Sequence, residues 1–210
     1  MNGLKLYHYW RSSSSWRVRW ALDLKEIPYE LSPVNLVNGE SESPEHLQRH
    51  PLGYVPALET HQGMLTQSHA IVRWIEDTFP GQPALFPEDP WQNARVLQLA
   101  DIVCADTQPL QNVNVLQMHS QDPVAQKTWA QYFIRQGLQA FETIASRTSG
   151  DFSVGDALTW ADLCLMPQLY NAQRYEVSLE QFPTIQRIAA LCATLPSYHS
   201  SHPSRYEPKS

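Results

Sequence analysis

The chain has 210 residues, a formal net charge of -6, 42% hydrophobic residues and 17% charged ones. That length suits one large domain or two small ones, and the apolar share supports a sizeable core and excludes wholesale disorder. An acidic chain without a basic run argues against nucleic acid as a partner, and no apolar stretch approaches the roughly 18 residues of a membrane span.

Leu4-Lys5-Leu6-Tyr7-His8-Tyr9 alternates with period 2 and predicts a strand. Trp16 to Lys25 changes to helical spacing, with Val18, Ala21 and Leu22 on one face and Trp16, Trp20 and Leu24 beside it. Ile27-Pro28 ends that helix, and Tyr29 to Leu31 predicts a second strand, parallel to the first through a right-handed crossover. Ser43-Pro44-Glu45 opens a short helix after a loop. Residues 57–60 and 64–66 are strands joined by the turn His61-Gln62-Gly63. Ser68 to Phe79 is a helix with Ala70, Ile71, Trp74 and Ile75 inward, stopped by Pro80-Gly81-Gln82-Pro83. The order strand-helix-strand, helix, strand-strand-helix is that of a thioredoxin-like half. Residues 80–88 read as a linker. Beyond it the periodicity is helical, with helices near 89–118, 123–148, 160–175 and 182–194, and an irregular tail after Leu195 because of Pro196, Pro203 and Pro208. The expected fold is therefore α/β plus all-α: a thioredoxin-like domain over 1–82 and an all-helical domain over 88–210.

Met1-Asn2-Gly3-Leu4-Lys5 lacks a charged region followed by an apolar core, so no signal peptide is expected. Cys104, Cys164 and Cys192 are odd in number and far apart along the chain, which fits buried structural thiols in a reducing compartment.

Four segments carry candidate chemistry. Ser12-Ser13-Ser14-Ser15 lies between a strand and a helix start, where it is either an anion site or one N-cap followed by loop. Val55-Pro56 stands just before a strand. It is either a cis bond that leaves the Val55 backbone open to a peptide, or an ordinary strand-start proline. Gln67-Ser68 begins a helix and is either a cap or a carboxylate site. Thr159-Trp160-Ala161-Asp162 reads as a capping box, which removes Asp162 from the catalytic candidates. No G-x-S-x-G, C-x-x-C, H-E-x-x-H or P-loop occurs, and His199 and His202 read as a solvated tail, so no metal site is expected.

Taken together, these segments resemble the zeta class of glutathione transferases over nearly the whole chain. The most specific match is Arg11-Ser12-Ser13-Ser14-Ser15-Trp16-Arg17-Val18-Arg19, close to the family's R-S-S-C-S-W-R-V-R. Further matches are Gln67-Ser68, Gln108-Pro109-Leu110-Gln111-Asn112, Gly155-Asp156 followed by Thr159 to Leu165, Pro167-Gln168, Asn171-Ala172-Gln173-Arg174 and Ser201-His202-Pro203. The resemblance implies a glutathione-binding thioredoxin-like domain, a helical second domain and a cytoplasmic homodimer. By match, Ser12 is the hydroxyl nearest the glutathione sulfur, with Ser13 assisting and Ser14 beside them. Val55 bonds the cysteinyl backbone, and Gln67 and Ser68 hold the γ-glutamyl carboxylate. Gln108 and Asn112 line the site from the second domain, and Arg11 and Arg174 bind the substrate's carboxylates. The chain departs from the family at Ser14, where the pattern has cysteine, at Ser41, where many relatives carry a glutathione-binding glutamine, and at His50 and His69.

The implied reaction is cis-trans isomerisation of maleylacetoacetate-type dicarboxylates, with glutathione as a cofactor that is not consumed. Maleylpyruvate isomerisation, conjugation or dehalogenation of small α-halo acids, and a non-catalytic transferase-like binding protein are the rivals. Arg11, Ser12 and Arg174 argue against the last, since a scaffold needs none of them.

Overall fold

The structure is a computed structural model that describes residues 3–208. Met1 and Asn2, part of the segment read for a signal peptide, lie outside the described residues. The chain divides into two compact units. One runs to Gln82 and takes in the chain from Leu195 onward; the other is Pro83–Thr194.

The first unit is built on a four-stranded sheet in the order β2-β1-β3-β4, from β1 (Leu4–His8), β2 (Tyr29–Pro33), β3 (Ala57–Thr60) and β4 (Gly63–Thr66). β1 and β2 are parallel, and β3 is antiparallel to both β1 and β4. Helices α1 (Ser13–Leu24), α2 (Pro44–Arg49) and α3 (Ser68–Thr78) complete the thioredoxin-like order. Side chains alternate along β1, so Leu4, Leu6 and His8 share one face while Tyr7 packs with Val34, Val55 and Ala57 on the other. α1 begins at Ser13, three residues earlier than its spacing suggested, because Ser12 caps it. It is buried on nearly every side, including Arg17 and Arg19. The reason is that it has neighbours on two flanks, α3 and the tail helix α9 (Pro196–Ser201). In α3 the inward residues are Ile71, Val72 and Ile75; Val72 takes the place expected for Ala70, which is exposed, and Trp74 is half-buried.

The tail is therefore not irregular. Pro196 and Pro203 each occupy the first position of a helical turn, where a missing N–H costs nothing. Two indoles hold the tail on α1: Trp16 Nε1 donates to Ser201 Oγ at 3.0 Å, and Trp20 Nε1 donates to Ser197 Oγ at 3.1 Å. His202, expected to be solvated, instead packs edge-on against Trp16 at 5.0 Å between ring centres, while His199 is exposed.

The second unit contains α4 (Pro90–Asp101), α5 (Val113–His119), α6 (Pro123–Thr148), α7 (Trp160–Arg174) and α8 (Pro183–Cys192). The helix expected over 89–118 is broken. After α4 the backbone widens into a π segment over Ile102–Thr107 and tightens into a 3-10 turn over Gln108–Gln111. Pro109 has no N–H to donate and its ring crowds the preceding turn, so the α ladder cannot continue through it. Gly137 in α6 admits the π segment closely: a Cβ there would stand 1.9 Å from Thr107 Oγ1. Thr159 and Asp162 form the expected capping box at α7, and Asp162 also accepts from the Ser153 N–H at 2.9 Å. Burial raises the Asp162 carboxyl pKa, although those hydrogen bonds pull it down. Glu142 of α6 accepts from the N–H groups of Thr184 and Ile185, both at 2.9 Å, which satisfies donors left without an intrahelical partner at the start of α8. Cys164 and Cys192 are buried, and Cys104 is half-buried with its sulfur 3.5 Å from that of Cys164. No described helix is long and apolar enough to cross a membrane.

Candidate active site

Register fixes where the first unit gathers its functional segments. Tyr7 of β1 pairs with Ala57 of β3, and Ala57 pairs with Thr66 of β4. The segments leaving those three positions, Tyr9–Ser12, Val55 and Gln67-Ser68, emerge at one end of the sheet.

Tyr9–Ser12 is a turn closed by the Ser12 N–H donating to the Tyr9 carbonyl at 3.1 Å. Ser12 is the N-cap of α1, and its Oγ accepts from the Ser15 N–H at 3.2 Å. A hydroxyl that accepts keeps its own proton to donate to an anion, so capping and anion binding are compatible here. Ser13 is buried at the first helical position and Ser14 is half-buried beside it. Arg11 lays its guanidinium over the rings of Tyr9 and Trp10, at 5.8 and 5.6 Å.

The Val55–Pro56 bond is cis. Pairing of β3 with both neighbours starts at Ala57, so the Val55 peptide lies beyond the ladder. The Val55 side chain is buried in the cluster against which Tyr9 packs. Gln67 adopts φ 70° and ψ 115°, a conformation rare outside glycine, and makes no side-chain cap bond. Such a residue stores about 1–3 kcal/mol and is found where the surrounding structure holds it for a purpose.

Arg17 was not anticipated from the sequence. It is 1% exposed, and its NH1 donates to Ser68 Oγ at 3.4 Å. Its Nε and NH2 are buried without a hydrogen-bond partner. A guanidinium stays charged, and burying one with unmet donors is costly. The start of α3 therefore combines a helix N-terminus, a hydroxyl and a buried cation, all suited to a carboxylate. The sequence signal for Arg17 is its place in the Arg11–Arg19 segment, beside Trp16 and Val18.

In the second unit Gln108 Nε2 donates to Asn112 Oδ1 at 2.8 Å. Gln111, only 6% exposed, donates to the Thr107 carbonyl and exchanges amide bonds with Gln168 at 3.2 and 3.3 Å. The Gln111 carbonyl also accepts from Asn171 at 3.3 Å, and Asn171 Oδ1 accepts from Arg174 NH1 at 3.0 Å. A chain of amides thus links the 3-10 turn to the exposed Arg174. Gln111 and Gln168 hold this chain together, and their roles were not drawn from the sequence. Ser41, at the departure from the family pattern, is buried. Among the described residues no cluster suited to a metal ion occurs.

The family model for the glutathione S-transferase N-terminal domain matches residues 2–77, and that for the C-terminal domain matches residues 110–198. The maleylacetoacetate isomerase of Rattus norvegicus is 43% identical over 202 residues, covering 95% of this chain and 92% of that protein. The crystal structure of maleylacetoacetate isomerase from Anaeromyxobacter dehalogenans 2CP-1, with glutathione bound in the active site, is 46% identical. It has a TM-score of 0.88 and covers 97% of this chain and 96% of its own. The holo structure of a bacterial zeta-class maleyl pyruvate isomerase is 35% identical, has a TM-score of 0.94, and covers 98% of this chain and all of its own. A thioredoxin-like unit, a helical second unit, and relatives of this identity over nearly the full length make this chain a member of the glutathione S-transferase family, in its zeta class of maleylacetoacetate isomerase type.

Proposed function

We propose that this chain is a glutathione-dependent cis-trans isomerase of maleylacetoacetate-type diacids. One observation carries the reading: the buried Arg17 guanidinium, with two unmet donors, abuts Ser68 at the start of α3. That arrangement fits a ligand with a carboxylate, and the γ-glutamyl end of glutathione has one. Gln67 and Ser68 would hold that carboxylate, the Val55 peptide would bond the cysteinyl backbone, and Gln108 and Asn112 would line the site. Glutathione, when bound, supplies the sulfur nucleophile for reversible addition to a conjugated cis double bond and is regenerated.

The protein's task is to keep that sulfur ionised and the diacid still. A thiol with a pKa of about 8.5 is roughly 3% ionised at pH 7. A hydroxyl proton and a helix N-terminus favour the anion and lower that pKa. Ser12 would donate a hydrogen bond to the ionised sulfur while its oxygen stays fixed by the Ser15 N–H, and Ser13 would assist from the first turn. The family resemblance assigns the substrate's carboxylates to Arg11 and Arg174, a task for which the planar fork of arginine is suited. Holding the diacid at both ends positions it for attack, and positioning supplies much of the rate.

The test is the loss of maleylacetoacetate absorbance with and without added glutathione. A rate independent of glutathione refutes the reading. Maleylpyruvate is kept as a second substrate because the relative at TM-score 0.94 carries that name, and the same assay with that acid separates the two. The family resemblance also supports a cytoplasmic homodimer, which light scattering in solution tests.

A further inference from the structure

Arg19 approaches the Tyr9–Ser12 turn from the side of α1, three residues beyond Trp16. It is fully buried at 0% exposure. Its NH2 donates to the Trp10 carbonyl at 2.9 Å, and its NH1 lies 3.5 Å from the Tyr9 carbonyl. The same NH1 is 3.0 Å from His8 Nδ1, at the end of β1. Its Nε donates to the Ser201 carbonyl, in α9, at 3.2 Å, and its face lies 4.7 Å from the centre of the Tyr206 ring. Burial, with the Arg19 charge second, holds the His8 imidazole down to about 3, so it is neutral and offers Nδ1 as an acceptor. One guanidinium thus touches the strand end, the Tyr9–Trp10 and Trp10–Arg11 peptides, and the tail.

The geometry points to Arg19 as a positioning residue for the reaction: by fixing the Trp10 carbonyl, with its NH1 beside that of Tyr9, it sets the turn that presents Arg11 and Ser12, and it couples that turn to the tail helix through Ser201. The inference rests on the role given above to Ser12. Ser12 itself is closed onto the Tyr9 carbonyl, so a rotation of that peptide moves the cap directly. Trp10 presents its carbonyl to the arginine, so its peptide plane is set from the α1 side rather than by solvent. A guanidinium reaches Trp10 and Ser201 with separate arms in one plane, whereas an ammonium cannot reproduce that fork.

The test uses the full chain in four variants. Arg19→Lys keeps the charge and loses the fork. Tyr206→Leu removes the ring under the guanidinium and serves if the lysine variant does not fold. Ser197→Ala weakens the tail at Trp20 without touching the turn, and Ser12→Ala calibrates the chemistry. The measurements are amide exchange at Ser12 and Ser15, thiolate absorbance of bound glutathione against pH, kcat and KM, and Tm. In Arg19→Lys, Ser12 amide protection should fall at least about tenfold, the thiol midpoint should rise by about one pH unit, and kcat should fall roughly 10- to 100-fold with KM little changed. Tyr206→Leu should move the same quantities less, and Ser197→Ala should lower Tm alone. The proposal is overturned if Arg19→Lys lowers Tm but leaves Ser12 protection and the thiol titration at wild-type values. It is equally overturned if Ser197→Ala shifts them as much for the same loss of Tm. If Arg19→Lys loosens the turn while Ser12→Ala leaves the thiol titration unmoved, the role of Ser12 falls and the positioning of the turn by Arg19 stands.

Discussion

Replacing Arg17 should change the protein in opposite directions depending on whether glutathione is present. Arg17→Met keeps the length of the side chain and removes a buried charge whose Nε and NH2 meet no partner. Each unmet buried donor costs about 1–3 kcal/mol, while the bond given up, to Ser68 at 3.4 Å, is long and contributes little. Without glutathione the variant should therefore be more stable, by about 2 kcal/mol. For a chain of this size that raises Tm by roughly 4–8 °C. With glutathione the sign reverses, because a charge-assisted bond worth about 1.5–3 kcal/mol is lost, which weakens affinity roughly 10- to 150-fold. Thermal melts with and without glutathione, together with calorimetric titration, measure both effects. A variant that melts lower than wild type without glutathione and binds it with unchanged affinity would show that Arg17 is a packing residue and remove the main support for the carboxylate site.

Ser12→Ala should raise the pH at which bound glutathione shows thiolate absorbance, and Ser14→Ala should hardly move it; the reverse order would reassign the hydroxyl that stabilises the thiolate. Arg174→Lys should lower kcat/KM for a diacid by about tenfold or more despite the retained charge, with glutathione affinity nearly unchanged; a wild-type rate in Arg174→Ala makes that arginine structural. Gly137→Ala drives a Cβ to 1.9 Å from Thr107 Oγ1, so it should cost about 1–3 kcal/mol in chemical denaturation and lower activity through Gln108; equal stability would mean the π segment yields freely. His8 has its midpoint held from 6.5 down to about 3 by burial and by Arg19. Between those values the unfolded chain binds a proton that the folded one refuses, so stability falls toward acid, by at most about 1.4 kcal/mol per pH unit, and is unaffected above the upper value. His8→Asn should flatten the acid limb of stability against pH, and an identical slope in the variant would contradict this.

What the sequence made legible was local. Alternation in Leu4–His8 and the turn at His61–Gly63 specify strands because a pleat repeats every two residues. The Thr159–Asp162 box is legible because both of its bonds close within one turn. The failures are where a distant partner decides. Arginines 17 and 19 stand at positions that a charge normally spends in water; Ser68 and the tail, far along the chain, enclose them instead. The π segment depends on Gly137, thirty residues beyond Thr107, although Pro109 inside the run was a local warning. Pro196 and Pro203 look like breakers in the sequence, yet each begins a helical turn, and position relative to the turn, not proline itself, decides between those outcomes. Of the site, the serine cluster and Gln67-Ser68 came from motif and resemblance. The left-handed backbone at Gln67 and the amide chain through Gln111 and Gln168 have no sequence signature, since both are consequences of packing.

The tail has a consequence for how the protein is made. The indoles of Trp16 and Trp20 find their acceptors on Ser201 and Ser197, and Tyr198 packs against both rings. On a ribosome adding roughly 5–20 residues per second, the first unit's α1 is complete long before its cover emerges, a delay of about 10–40 s. During that interval an aromatic helix meant for the interior lies open, while the entire second unit is synthesised and can fold. The N-terminal unit is thus first to appear and last to close. A chaperone that shields aromatic surface has its longest opportunity on α1, and a stop codon that removes the chain from Pro196 onward would leave that flank of the helix uncovered for the life of the protein.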